Sequence, residues 1–212
     1  MNKAFSILFY GAGLVVAGYV VQSKIATMPV ASTTGTASAS MTAARPLNWA
    51  EPIAYAGVDN LHRITPSLYR SAQITAADIP QLRALGIRKI VSLRSFHSDE
   101  NVLKGSGIAL ERIRINTWNI TDEDMIAALK ALRDVERDGP ILIHCQHGAD
   151  RTGLVSALYR VVFQGWTKQQ AEDELLHGGY GFHPVWGNIK SYLEQVDVEW
   201  LRRQVGVARG VA

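Results

Sequence analysis

Ten consecutive residues, His144-Cys145-Gln146-His147-Gly148-Ala149-Asp150-Arg151-Thr152-Gly153, constrain this chain more than any other part of it. Ile141-Leu142-Ile143 before them is a short apolar, β-branched run suited to a buried strand, and Leu154 to Gln164 after them is apolar at helical spacing. The segment therefore reads as a loop joining strand to helix. Successive amides of such a loop, closing onto a helix N-terminus, make a concave anion site. Gly148 and Gly153 suit it, because glycine permits unusual backbone angles and close approach of a ligand. The loop also holds the only cysteine of the chain, six residues before an arginine. A thiol attacks well only as thiolate, a form that nearby positive charge and amide dipoles favour.

Phosphate chemistry follows if Arg151 aims its planar fork at two oxygens of a bound dianion, which lysine could not do bidentately. Cys145 would then attack phosphorus in line with the leaving oxygen, and water would hydrolyse the resulting phosphocysteine. Gln146, His147, Gly148, Ala149, Asp150, Arg151 and Thr152 form the expected substrate cradle. The Thr152 hydroxyl is placed to stabilise the thiolate, and His144 to orient the loop rather than carry protons. Three other readings compete: an inert buried cysteine beside a solvated arginine, a sulfurtransferase, and a noncatalytic phosphate-binding module.

The motif H-C-x5-R-[ST]-G resembles the signature of cysteine-dependent tyrosine and dual-specificity phosphatases, and HCQHGADRTG is most similar to their bacterial, atypical dual-specificity branch. The likeness extends upstream to Leu68-Tyr69-Arg70-Ser71-Ala72-Gln73 and to Leu85 through Arg94, and downstream to Gly178-Gly179-Tyr180-Gly181-Phe182-His183. The resemblance implies a tyrosine or dual-specificity protein phosphatase working through a phosphocysteine, without cofactor, on a phosphorylated protein or small molecule. A phosphoinositide or inositol phosphate phosphatase is the alternative.

Such an enzyme needs a general acid to protonate the leaving oxygen, usually an aspartate on a loop upstream of the cysteine. Asn116 to Asp124 falls where the family's acid loop should be, but no aspartate opens it. Asp122 is the best-placed candidate, with Asp124 behind it. Thr121-x-x-Asp124 reads equally as a helix start capped by Thr121. Trp118 is either the loop's aromatic lever or a core residue. Asp150, inside the loop, is the second candidate, since myotubularin-type lipid phosphatases carry an aspartate there. A carboxylate beside a bound dianion is pushed by like charge toward its protonated form; alternatively, it only shapes the loop. Arg70 and Arg94 are candidates for a phosphate or second anionic group, and equally for ordinary surface arginines. Gly178 to His183 is a lid or a turn, and Tyr180 and Trp186 are candidate packing residues.

The N-terminus bears on location. Lys3 precedes Ala4 to Val21, an uncharged apolar run about long enough to span a bilayer. Segment 1–24 is therefore expected to be an uncleaved membrane anchor, with a cleaved secretory signal as the alternative. Segment 25–45 is rich in Ser, Thr and Ala and reads as a flexible linker. The expected placement is a single-pass inner-membrane protein with its catalytic domain in the periplasm; after signal cleavage it would be secreted instead. A net charge of +3 agrees with an anionic substrate. Lysines interleaved with aromatics are missing, which argues against nucleic acid, and no Cys/His spacing suggests a metal.

Residues 46–212 suit one globular domain. Helices are expected at 76–86, 122–137, 152–164, 167–177 and 184–204, and strands at 87–93, 108–115 and 141–144. That alternation predicts an α/β fold: a mostly parallel sheet flanked by helices, cysteine phosphatase-like, with the active loop at its carboxyl edge.

Overall fold

The computed structural model describes residues 45–54 and 57–207. The expected anchor, and the linker as far as Ala44, lie outside the described residues. Among the described residues no helix is long and apolar enough to cross a membrane. Arg45, at the end of the expected linker, is tied into the domain: its guanidinium donates to the carbonyls of Ala50 and Gly178 and to the Tyr180 hydroxyl.

The elements begin with β1 (Glu51–Pro52), β2 (His62–Thr65) and β3 (Leu68–Ser71), an antiparallel meander. Pro66 and Ser67 alone join β2 to β3, and so short a connection can only turn the chain back on itself. A 3-10 turn at Ala76–Asp78 leads into α1 (Ile79–Ala84), followed by β4 (Lys89–Arg94), α2 (Glu100–Leu103), β5 (Ala109–Ile115), α3 (Asp122–Leu132) and α4 (Val135–Asp138). Then come β6 (Ile141–His144), α5 (Asp150–Phe163), α6 (Lys168–His177), α7 (Gly187–Gln195) and α8 (Val198–Gln204).

The sheet order is β1-β2-β3-β6-β4-β5, with β6 parallel to β3 and β4, and β5 parallel to β4. The sheet is therefore mixed. The expected parallel arrangement holds from β3 to β5, and the N-terminal meander corrects it at the other edge. That edge escaped the sequence reading because its strands are only two to four residues long, too short to show a two-residue period.

Alternation along the strands divides the core between the two faces. Leu68, Val91, Leu93, Ile141 and Ile143 point to one side, where Met125, Leu129, Leu158, Leu175, Ile189 and Leu201 from α3 and α5–α8 cover them. Tyr69, Ile90 and Leu142 point to the other, against Ile74, Leu82 and Ile87. Each such large side chain contributes about 1.5–3 kcal/mol of burial, so β6 and β4, apolar on both faces inside the sheet, are firmly anchored.

Helix punctuation follows local chemistry. Gly86 stops α1 with φ +74°. Thr167 accepts from the Gln170 amide at 3.1 Å while the Gln170 side chain accepts from the Thr167 amide at 2.9 Å, a complete capping box for α6. Two expected long helices are each divided. The stretch 122–137 breaks after Leu132, and 184–204 opens at Gly187 and breaks before Val198, where Asp197 accepts from the Trp200 amide at 2.9 Å and starts a new helix.

Candidate active site

His144 ends β6 in register with Ser71 of β3 and Ser92 of β4, so the chain leaves the sheet at its carboxyl edge immediately before Cys145. Cys145 is 1% exposed, and α5 begins at Asp150. Between them, five consecutive carbonyls are each held by a donor. Cys145 O faces His144 Nδ1 at 3.0 Å, Gln146 O accepts from the Gln73 amide at 3.1 Å, and His147 O accepts from Asn60 Nδ2 at 2.8 Å. Gly148 O accepts from Arg70 Nη2 at 2.7 Å, and Ala149 O from the Gly153 amide at 2.8 Å. In a trans peptide the N–H points opposite to the C=O. Holding these carbonyls on a collar therefore turns the amides of Gln146 through Asp150 the other way, and those of Gln146 to Ala149 meet no acceptor among the described residues. Four adjacent amides without an acceptor are a group of donors suited to an anion.

The collar explains the upstream motif. Arg70 and Gln73 grip the loop directly, and Gly148, at φ +70°, sits so close to β3 that a Cβ there would lie 2.5 Å from Ser71 O. Arg70 is 1% exposed and stacks 3.6 Å from the centre of the Tyr180 ring. Tyr180 in turn donates to Glu174 Oε1 at 2.9 Å, and burial pushes its hydroxyl up to about 12.

Behind the cysteine, His144 Nε2 lies 3.0 Å from Asp99 Oδ2, with both side chains fully buried. Burial pushes the Asp99 carboxyl up, but the hydrogen bond and charge of His144 lead the opposing effects, and the net result is below its ordinary value. Asp99 is therefore a carboxylate that accepts from Nε2, while Nδ1 faces a carbonyl that can only accept. Asp99 and the Cys145 carbonyl thus fix the orientation of the ring from its two nitrogens.

Arg151 Nη1 donates to Leu93 O and Ile115 O, 3.3 Å each, at the carboxyl ends of β4 and β5. Its Nε is buried without a partner among the described residues, as is Arg94 Nη1. Both arginines line a pocket of about 190 Å³ with Gln146, and Phe96, Trp118 and Trp186 supply aromatic walls. Phe96 and Trp118 stack at 6.2 Å and are 87% and 61% exposed, so Trp118 belongs to the rim and not to the core. Thr152 is fully buried, and its hydroxyl has no partner among the described residues.

The two candidate acids stand differently. Asp150 is 5% exposed and accepts from the His183 amide at 2.9 Å and from His183 Nδ1 at 2.9 Å. Asp122 lines a separate pocket with Gln195, Asp197 and Trp200, and accepts from the Tyr192 hydroxyl at 2.7 Å. The Asp124 amide donates to Thr121 Oγ1 at 3.2 Å, the capping arrangement. Arg70 lies beneath the loop and Arg94 in the pocket, and residues 178–183 form the turn between α6 and α7. Three contributors had no sequence signal strong enough to find them. Asp99 sits among ordinary polar loop residues; His183 belonged to a motif whose target was unknown. Asn60, at φ 55°, hinted at itself only as a residue type tolerated in that left-handed conformation.

A profile of the tyrosine phosphatase family matches residues 56–199. The chain belongs to the tyrosine phosphatase family. It is 36% identical over 144 residues to the dual specificity protein phosphatase TpbA of Pseudomonas aeruginosa, a match covering 68% of this chain and 65% of that protein. The crystal structure of P. aeruginosa TpbA in complex with pTyr superposes with a TM-score of 0.70 at 33% identity, covering 77% of this chain and 99% of that one. The inositol diphosphatase DSP2 of Oryza sativa subsp. japonica is 33% identical over 126 residues, 56% of this chain and 61% of that protein. Among these, the bacterial dual-specificity relative is the more similar, in agreement with the branch that the motif resembles.

Proposed function

We propose that the chain is a tyrosine or dual-specificity protein phosphatase that hydrolyses phosphomonoesters through a phosphocysteine. The observation that carries this is the collar: carbonyls held on one side and unpartnered amides on the other, around a buried cysteine and an arginine with an unpartnered Nε. The amides of Gln146 to Asp150 and the guanidinium of Arg151 bind the equatorial oxygens of the phosphoryl group, and these donors are already oriented before charge develops. Cys145 Sγ forms a bond to phosphorus as the P–O bond to the leaving group breaks. The Thr152 hydroxyl, buried without another partner, is available to the sulfur once it is a thiolate, and His144, held by Asp99, faces the cysteine carbonyl from behind.

Asp150 is the proton donor to the leaving oxygen, oriented by His183; the same carboxylate then takes a proton from the water that releases inorganic phosphate and restores the thiolate. Asp122 remains the alternative donor, and its hydrogen bond to Tyr192 in another pocket favours Asp150. The aromatic walls fit a phosphorylated ring, which favours phosphotyrosine, and the TpbA complex with pTyr supports the same choice. A specific observation keeps the inositol phosphate reading: Arg94 brings a second guanidinium with an unpartnered nitrogen to the pocket, suited to a second anionic group. The apolar run at 4–21 supports tethering to the inner membrane, facing the periplasm, testable by protease accessibility in spheroplasts.

Turnover of phosphotyrosine peptides, phosphoserine peptides and inositol phosphates should rank in that order. Cys145→Ser should abolish hydrolysis while keeping affinity for a phosphate analogue, and Arg151→Lys should weaken both. Asp150→Asn should slow substrates with poor leaving groups far more than those with good ones, and Trp118→Ala should raise KM for phosphotyrosine peptides only. Hydrolysis retained by Cys145→Ser would refute the proposal.

A further inference from the structure

The rim of the loop carries a second convergence of groups. His147 comes from the loop itself, Asp150 from the first turn of α5 and His183 from the turn before α7, and one nitrogen or oxygen of each lies within 4.8 Å of the others. We propose that His147, Asp150 and His183 bind a divalent transition-metal cation of the zinc class. Two imidazoles and one carboxylate are a donor set that zinc accepts, and three protein ligands leave a fourth position for water or a phosphate oxygen.

The spacing is near what coordination requires. Ligands on tetrahedral zinc, with bonds of about 2.0–2.1 Å, stand roughly 3.3 Å apart, and Asp150 Oδ2 is already 2.9 Å from His183 Nδ1. His147 is exposed, and its ring centre is 5.1 Å from that of His183, so rotation about its own side-chain bonds brings in the third ligand without backbone movement. Asp150 is held almost fully buried at the base of the group, while the His183 side chain is 46% exposed, leaving a route for the ion from solvent. Binding exchanges the hydrogen bond between Nδ1 and the carboxylate for two bonds to metal, and the Nδ1 proton passes to solvent. An occupied site also withholds Asp150 from proton donation, so the metal would inhibit turnover; this consequence, unlike the binding, rests on the proposed role of Asp150.

The test uses the full-length chain carrying Cys145→Ser, so that no thiolate competes for metal. Zinc is titrated against a chromophoric chelator, and cobalt is followed by its visible absorption. Saturable one-to-one binding, with a four-coordinate cobalt spectrum lacking sulfur charge transfer, is expected. A further His147→Ala or Asp150→Asn substitution should weaken binding at least tenfold. His147 is exposed, so its variant should fold even if a change at Asp150 does not. Absence of saturable binding, or affinity unchanged by His147→Ala, would overturn the site and leave only the Asp150–His183 hydrogen bond. Hydrolysis is not read in this titration, so failure of the phosphatase reading would be seen separately.

Discussion

Replacing Gly148 with alanine isolates the contribution of the collar. The new Cβ would stand 2.5 Å from Ser71 O, 2.6 Å from Ser71 C and 2.7 Å from the Ala72 amide nitrogen, all of them backbone atoms of β3 and its continuation. No side-chain rotation can relieve such contacts. The loop must retreat by roughly 0.9 Å or more to reach ordinary van der Waals distance, taking the amides of Gly148 and Ala149 off the positions from which, in the proposed mechanism, they hold an oxyanion. Loss of one such donor costs about 100–1000-fold in kcat, or roughly 3–4 kcal/mol. The left-handed φ of +70° adds about 1–2 kcal/mol to the folded state. Gly105→Ala is the matched control, because its φ is +73° with nothing within 4 Å of the added carbon. Both variants should therefore melt a few degrees below the parent, while only Gly148→Ala loses turnover, by at least about 100-fold. Thermal melts by circular dichroism and kcat on a phosphotyrosine peptide decide it. A folded Gly148→Ala variant within fivefold of parental turnover would refute the claim that the collar positions the amides.

Two further outcomes follow from buried charge. Glu174 accepts from Arg160 Nε at 2.8 Å and Nη2 at 3.0 Å, from the Ala50 amide at 2.6 Å and from the Tyr180 hydroxyl. Glu174→Ala strands the guanidinium of Arg160, itself 3% exposed, and should cost about 3–5 kcal/mol in urea denaturation; a loss under 1 kcal/mol would contradict the role assigned to this pair. His62 is buried against Tyr180, and burial leads the effects that push it down from 6.5 to about 4. As pH falls below 6.5 the unfolded chain binds a proton that the folded one refuses until about 4, so stability drops across that window by about 3 kcal/mol. His62→Gln should flatten the decline in denaturation midpoints between pH 6.5 and 4.5, and an unchanged slope would assign it to other groups.

What the sequence made legible was local and periodic. Ile141 to His144 alternates between two cores and is wholly buried, so its strand was readable from residue types alone, and the cysteine, glycine and arginine that follow carry their geometry in their spacing. The helix expected at 167–177 also stands, and the structure shows its start fixed by a capping box whose two halves, Thr167 and Gln170, lie within four residues. What stayed hidden is what the fold brings from a distance. Asn60 reaches the loop across 87 residues, Arg70 across 78, Asp99 meets His144 across 45 and His183 meets Asp150 across 33. None of these contacts leaves a local periodicity, since each is fixed only when the parallel strands align their carboxyl ends. The same holds for the two candidate acids. Asp122 and Asp150 are indistinguishable as residue types, and what separates them is that Tyr192 takes one while His183 holds the other beside the cradle. Chemistry that depends on one loop can therefore be read from one loop, whereas the support that makes its amides converge is a property of the folded sheet edge.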